Sequence, residues 1–171
     1  HTELLDHVTL LFIPIFNVDG HERFGPYNRI NQNGPEEMGW RTTAQNLNLN
    51  RDFLKADAPE MKAWLSLFNR WMPDFFIDVH TTDGADYQYV ITYAMETYGN
   101  MDKGLTDWQK NTYLETIKPK MRKAGYPMFR YISFRQWHNP KSGMVAWAAE
   151  PRLSQGYTAI RNRPGLLVET H

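Results

Sequence analysis

The sequence has no cysteine, no net charge and no apolar run long enough to cross a membrane, and each absence narrows what the chain can do. Without cysteine there are neither disulfides nor thiolate metal sites, so a transition-metal site has to be built from carboxylates and the six histidines. The 19 basic and 19 acidic side chains cancel. No global field therefore favours nucleic acid or an anionic membrane surface, and partners are expected to be recognised locally. The longest apolar stretch, Val8 to Phe16, is interrupted by Thr9 and Pro14 and is far too short to span a bilayer. Neither a signal-peptide pattern nor an initiator methionine stands at the start, from which we expect a chain trimmed from a longer one or relieved of its targeting segment. There are no repeats, low-complexity tracts or internal domain boundaries.

What is present suffices for one domain with one sizeable core: 171 residues, 42% hydrophobic and 14% aromatic. Val8 to Ile15 (VTLLFIPI) is apolar on both faces and reads as an interior strand, ending in the turn signal Asn17-Val18-Asp19-Gly20. The stretch from there to Asn48 is rich in Gly, Asn, Pro and Arg without a sustained period, the mark of a functional or mobile loop. Asp57, Pro59 and Glu60 supply an N-cap, an early proline and a capping-box glutamate, and Met61, Trp64, Leu65, Phe68 and Trp71 follow at helical spacing. After Pro73, the segments Phe75 to Val79, Gln88 to Tyr93 and Gly165 to Glu169 read as strands, and Pro127 to Ser133 as a short one. Leu105 to Ala124 reads as a helix that Pro119 should kink or divide and Gly125 should close. Phe134 to Pro164 reads as loops with one short helix. This order favours an α/β fold with a mixed central sheet flanked by helices.

Several residues in this frame could carry chemistry. His80 follows the apolar strand FFIDV and opens the polar turn His80 to Gly84, so its imidazole should emerge at the C-terminal edge of the sheet, where ligand sites of open α/β sheets form. It is a metal ligand or a structural histidine, and Asp78 could orient its ring or be an ordinary buried aspartate. Glu169 ends the apolar strand Leu166-Leu167-Val168, where a carboxylate needs a metal, an arginine or a catalytic task, or else a plain salt bridge. In the Asn-dense run Asn46 to Phe53, Arg51 could grip a carboxylate with both guanidinium arms and Asn50 could donate beside it. A polar loop with no such task is the alternative. Arg41, after Trp40, is a second cation of the same region.

Taken in order, Phe16-Asn17-Val18-Asp19-Gly20, Trp40-Arg41-Thr42-Thr43, Leu49-Asn50-Arg51-Asp52-Phe53, Asp78-Val79-His80 and Leu166-Leu167-Val168-Glu169 resemble the carboxypeptidase A-like zinc peptidases nearly end to end. The resemblance implies a carboxypeptidase-like (phosphorylase/hydrolase-like) fold and zinc as cofactor. It implies peptide or protein C-termini as partners, and an extracellular or periplasmic location. It also implies roles. His80 matches the third zinc ligand, Glu169 the glutamate that promotes attack of the zinc-bound water, and Arg41 the arginine that stabilises the oxyanion. Asn50 and Arg51 match the pair that binds the substrate's terminal carboxylate, and Tyr157 is the candidate for the mobile tyrosine that caps the substrate. The His₂Glu zinc site of that family is general knowledge.

The pattern breaks at both ends. The family's first two ligands, a His-x-x-Glu pair, are absent from His1 to His7, and the chain stops two residues after Glu169. From this we expect a partial catalytic domain with an incomplete zinc site, inactive alone, with exposed apolar edges that invite self-association. Two other functions fit the same residues: zinc-dependent deacylation of small N-acyl amino acids, as in aspartoacylase and desuccinylase relatives, and non-catalytic binding of peptide C-termini through Arg51. Arg135, Arg152, Arg161 and Arg163 leave an acidic-substrate preference open, though solvated surface is the plainer reading, and His138 beside Trp137 could line the cleft.

Overall fold

A computed structural model of the chain describes residues 2–30, 32, 34–81, 88–137 and 139–170. Its helices are α1 (Val18–Glu22), α2 (Pro59–Trp71), α3 (Lys103–Trp108), α4 (Leu114–Lys123) and α5 (Ser154–Ile160). Its strands are β1 (Phe76–Thr81), β2 (Ile91–Met95), β3 (Met128–Arg130), β4 (Ser133–Gln136), β5 (Asn139–Val145) and β6 (Gly165–Thr170). The main sheet has the order β1-β6-β2-β3, parallel at both flanks and antiparallel between β6 and β2, so the expected mixed sheet is present. The all-apolar strand β6 takes an interior place in it, as its composition predicts.

The sheet carries a core on each face. Leu49, Phe53, Met61, Trp64, Phe68 and Tyr157 form one core, with Phe76 of β1 packed against it. The edge-on pairs Phe53 with Trp64 and Trp64 with Phe76, at 5.0 and 5.4 Å between centroids, lock α2 onto this face. Tyr93, Met95, Leu114 and Leu166 form the other core, under α4. Because strand residues alternate, Phe76, Asp78 and His80 share the first face, and so do their register partners Gly165, Leu167 and Glu169.

The helix expected after Asp57 begins at Pro59, with Ala58 at the cap position. Asp57 does not cap it. Instead the Asp52 carboxylate accepts from the backbone N–H groups of Asp57 and Ala58 at 3.0 and 2.9 Å. The helix ends as Met72 takes a left-handed φ of 44° before Pro73. The segment Leu105 to Ala124 is divided, but not at its proline: a five-residue π turn at Gln109–Tyr113 separates α3 from α4, and α4 runs on through Pro119.

Two expectations are corrected. Val8 to Ile15 forms no strand, and its side chains lie open to water, with Phe12 80% exposed. A strand needs a ladder partner, and the run pairs with neither sheet edge, β1 nor β3. Ile13 and the following Phe16 line a shallow cleft beside Trp64 and Leu67 of α2. Within Phe134 to Pro164, read as loops with one helix, the structure has the two-stranded β4-β5 sheet ahead of α5.

Candidate active site

The reactive candidates lie along one line across the main sheet. His80 pairs in register with Glu169, Glu169 with Thr92, and Thr92 with Phe129, so one residue from each of the four strands shares this row and this face. His80 Nε2 lies 3.0 Å from Asp78 Oδ2. Its other nitrogen, Nδ1, lies 3.4 Å from Glu169 Oε1. Burial works against an imidazolium here, but hydrogen bonds and charge from Asp78 and Glu169 outweigh it, and the His80 pKa is raised to about 9. Asp78 thus holds one nitrogen and aims the other along the row, the arrangement by which a carboxylate orients a metal-ligating histidine.

Arg51 ends a single 3₁₀ turn, Leu49–Arg51, which the Asn48 side chain caps by accepting from Asn50 N at 3.1 Å. Leu49 and Phe53 on either side of Arg51 are buried in the core on the His80 face, so the turn is anchored to the same side of the sheet as the row. The Arg51 guanidinium donates to the Asn50 carbonyl at 2.6 Å. Its pKa is lowered, by burial first and then by the charges of Arg41 and Arg152, while Tyr131 and Glu150 act the other way. Arg29 is lowered likewise by burial and by Arg41. Arg41 is therefore within electrostatic reach of both Arg29 and Arg51, a concentration of positive charge suited to an anionic ligand.

The backbone around Arg41 is clasped by the Asn17 to Gly20 motif, a task that sequence reading did not assign to it. Asn17 Oδ1 accepts from Gly20 N at 3.0 Å while its Nδ2 donates to the Arg41 carbonyl at 3.3 Å. Asp19 Oδ2 accepts from Ala44 N at 3.0 Å, and Trp40 N donates to the Gly20 carbonyl at 2.6 Å. A Cβ on Gly20 would stand 2.3 Å from the Trp40 carbonyl oxygen, so only glycine admits this approach. The motif's spacing was visible in the sequence; its partner was not.

Tyr157 is corrected as the capping tyrosine. It is buried within α5 among Phe53, Trp64 and Phe68, and its hydroxyl accepts from Arg161 at 2.8 Å. A ring enclosed on that many sides cannot swing over a substrate. Arg161 is committed as well, to Asn69 Oδ1 and the face of Phe68, and Arg163 and Arg152 pair with Asp74 and Glu150. His138 and the rest of the polar turn beyond Thr81 lie outside the described residues.

The donors do not complete a zinc site on their own. His80 offers one oriented nitrogen, but among the described residues no group of three His, Asp or Glu side chains could hold a metal ion. A catalytic zinc takes three protein ligands.

The α/β sheet thus bears a carboxylate-oriented histidine beside a carboxylate, with an Asn-Arg pair anchored on the same side. The zinc carboxypeptidase family profile matches residues 1–159, and the chain belongs to that family. The match includes Arg41, Asn50, Arg51, His80 and Tyr157 and stops before β6. Among solved structures, the chain resembles a metallo-carboxypeptidase from Burkholderia cenocepacia (20% identity, TM-score 0.52). It also resembles a metallo-carboxypeptidase from Pseudomonas aeruginosa in complex with (2-guanidinoethylmercapto)succinic acid (16% identity, TM-score 0.55). Each likeness covers 77% of this chain but only 32% of the other, so the chain spans about a third of the length of the structures it matches. At these identities they establish the fold. No curated protein sequence matches.

Proposed function

We propose that the polypeptide containing this chain is a zinc-dependent metallocarboxypeptidase, and that the 171-residue chain by itself is inactive. The observation that carries this reading is the in-register pair His80 and Glu169, with Nδ1 facing the carboxylate and Nε2 held by Asp78. In this reading Arg51, with Asn50 beside it, binds the substrate's terminal carboxylate and so fixes which bond is cut. Glu169 takes the proton of the attacking water and returns it to the leaving amine, and Arg41 meets the negative charge that develops on the carbonyl oxygen. Zinc, when bound, would supply Lewis acidity and a water of lowered pKa. His80 is one ligand, and the others belong to a His-x-x-Glu pair that these 171 residues do not contain.

The test compares peptides with free and amidated C-termini, followed by mass spectrometry, with the full polypeptide and with this chain. Stepwise loss of C-terminal residues from the free form alone, by the full polypeptide alone and blocked by chelator, is expected. Turnover of N-acyl amino acids without peptide cleavage would replace this reading with the deacylase. Binding of free C-termini with no cleavage by the full polypeptide would replace it with the binding module. Peptide C-termini are the proposed partners, and the proposed location is extracellular or periplasmic; no described helix is long and apolar enough to cross a membrane.

A further inference from the structure

Thr92 has no part in the chemistry set out above, yet it occupies the place on the sheet next to Glu169. The two are register partners in the antiparallel pairing of β2 with β6, so their side chains project side by side from one face. Thr92 is 1% exposed, and its hydroxyl oxygen is enclosed without a hydrogen-bond partner. A buried hydroxyl left unsatisfied is destabilising, and a valine of the same shape would avoid the cost. A strand position that keeps threonine under these conditions needs a reason outside folding.

The row supplies one. On one side of Thr92 stands the Phe129 ring, which offers no acceptor, and on the other stands the Glu169 carboxylate. The Glu169 carboxylate lies at a long 3.4 Å from His80 Nδ1. Rotation of the threonine side chain about Cα–Cβ is the small movement that brings an O–H donor toward its cross-strand neighbour. We infer that Thr92 is a positioning residue for Glu169: in the working site its hydroxyl donates to the Glu169 carboxylate and fixes the oxygen that receives the proton. The inference rests on Glu169 being the general base.

The test measures two independent quantities on Thr92→Val, Thr92→Ser and Glu169→Gln. Thermal midpoints are taken on the 171-residue chain, and kcat and KM on the zinc-loaded full polypeptide. Thr92→Val should leave the midpoint unchanged or raise it, because no native bond is lost, while kcat falls roughly ten- to hundredfold and KM stays within about twofold. Thr92→Ser, which keeps the hydroxyl, should restore most of the lost kcat. A Thr92→Val protein with full kcat overturns the inference. So does one that unfolds or melts lower and is not rescued in kcat by serine, which is the pattern of a structural threonine. Retained activity in Glu169→Gln removes the general-base reading and this inference with it, whereas an inactive Glu169→Gln beside a fully active Thr92→Val removes only the role of Thr92.

Discussion

His80 and Glu169 face one another across the β1-β6 ladder, with Nδ1 3.4 Å from Oε1, while Asp78 holds the opposite nitrogen at 3.0 Å. This places an imidazole between two carboxylates, and its pKa is raised from 6.5 to about 9 despite burial. A group whose pKa is raised by folding adds stability in full below its unfolded value and loses it as the pH climbs through the folded value. The chain should therefore lose up to roughly 3 kcal/mol of unfolding free energy between pH 6.5 and 9. Urea unfolding across that range checks this, and His80→Gln should flatten the difference. A wild-type profile parallel to that of His80→Gln would show that the imidazole is not held as a cation.

Gly20 is where the backbone of the first motif meets the backbone before Arg41. Gly20→Ala puts a methyl group 2.3 Å from the Trp40 carbonyl oxygen, and main chain cannot give way as a flexible side chain does. Overpacking of this kind costs about 1–3 kcal/mol. Denaturant titration of the variant should find that loss. Because the displaced segment carries Arg41, kcat of the full polypeptide should fall with it.

Arg51 is proposed to bind the substrate's terminal carboxylate, so its removal should weaken peptide binding more than turnover. Arg51→Ala is expected to raise KM about ten- to a hundredfold with a smaller change in kcat, as charged hydrogen bonds of this type are worth about 1.5–3 kcal/mol. Arg51→Lys should recover only part of this, since an ammonium lacks the planar two-armed donor set. Steady-state kinetics on free-acid peptides make the measurement. An unchanged KM would place the carboxylate elsewhere.

The open run from Val8 to Ile15 exposes Leu10, Leu11, Phe12 and Ile13, and the β1 edge beside unpaired space exposes Ile77 and Val79. Contiguous apolar surface and an unpaired strand edge favour association between chains. Sedimentation velocity of the isolated chain should show species larger than 20.1 kDa that grow with concentration. Phe12→Lys should shift the distribution toward monomer. A monomer at all concentrations would contradict the proposed self-association.

The sequence is legible where burial is local and continuous. The period of Met61, Trp64 and Phe68 marks α2, and the mainly apolar strands before His80 and Glu169 bring those two residues to one edge. It misleads where the outcome depends on distant partners. The Val8 run has the composition of an interior strand, but a strand is made by its neighbours. Tyr157 sits in Ser-Gln-Gly-Tyr-Thr, which looks like surface, yet Ser154 to Ala159 are all buried because α5 packs against β1 and β6. The β4-β5 hairpin is polar enough to read as loop. Thr92 gives no signal in one dimension; only the register sets it beside Glu169.

The central claim is that the imidazole of His80 is a zinc ligand presented through Nδ1. Crystals of the zinc-loaded full polypeptide, measured at the zinc absorption edge, test it most directly. We expect one strong anomalous peak at the His80 imidazole, with Asp78 still holding the ring's other nitrogen. Zinc bound elsewhere with His80 uncoordinated, or no specific zinc at full activity, would contradict the account.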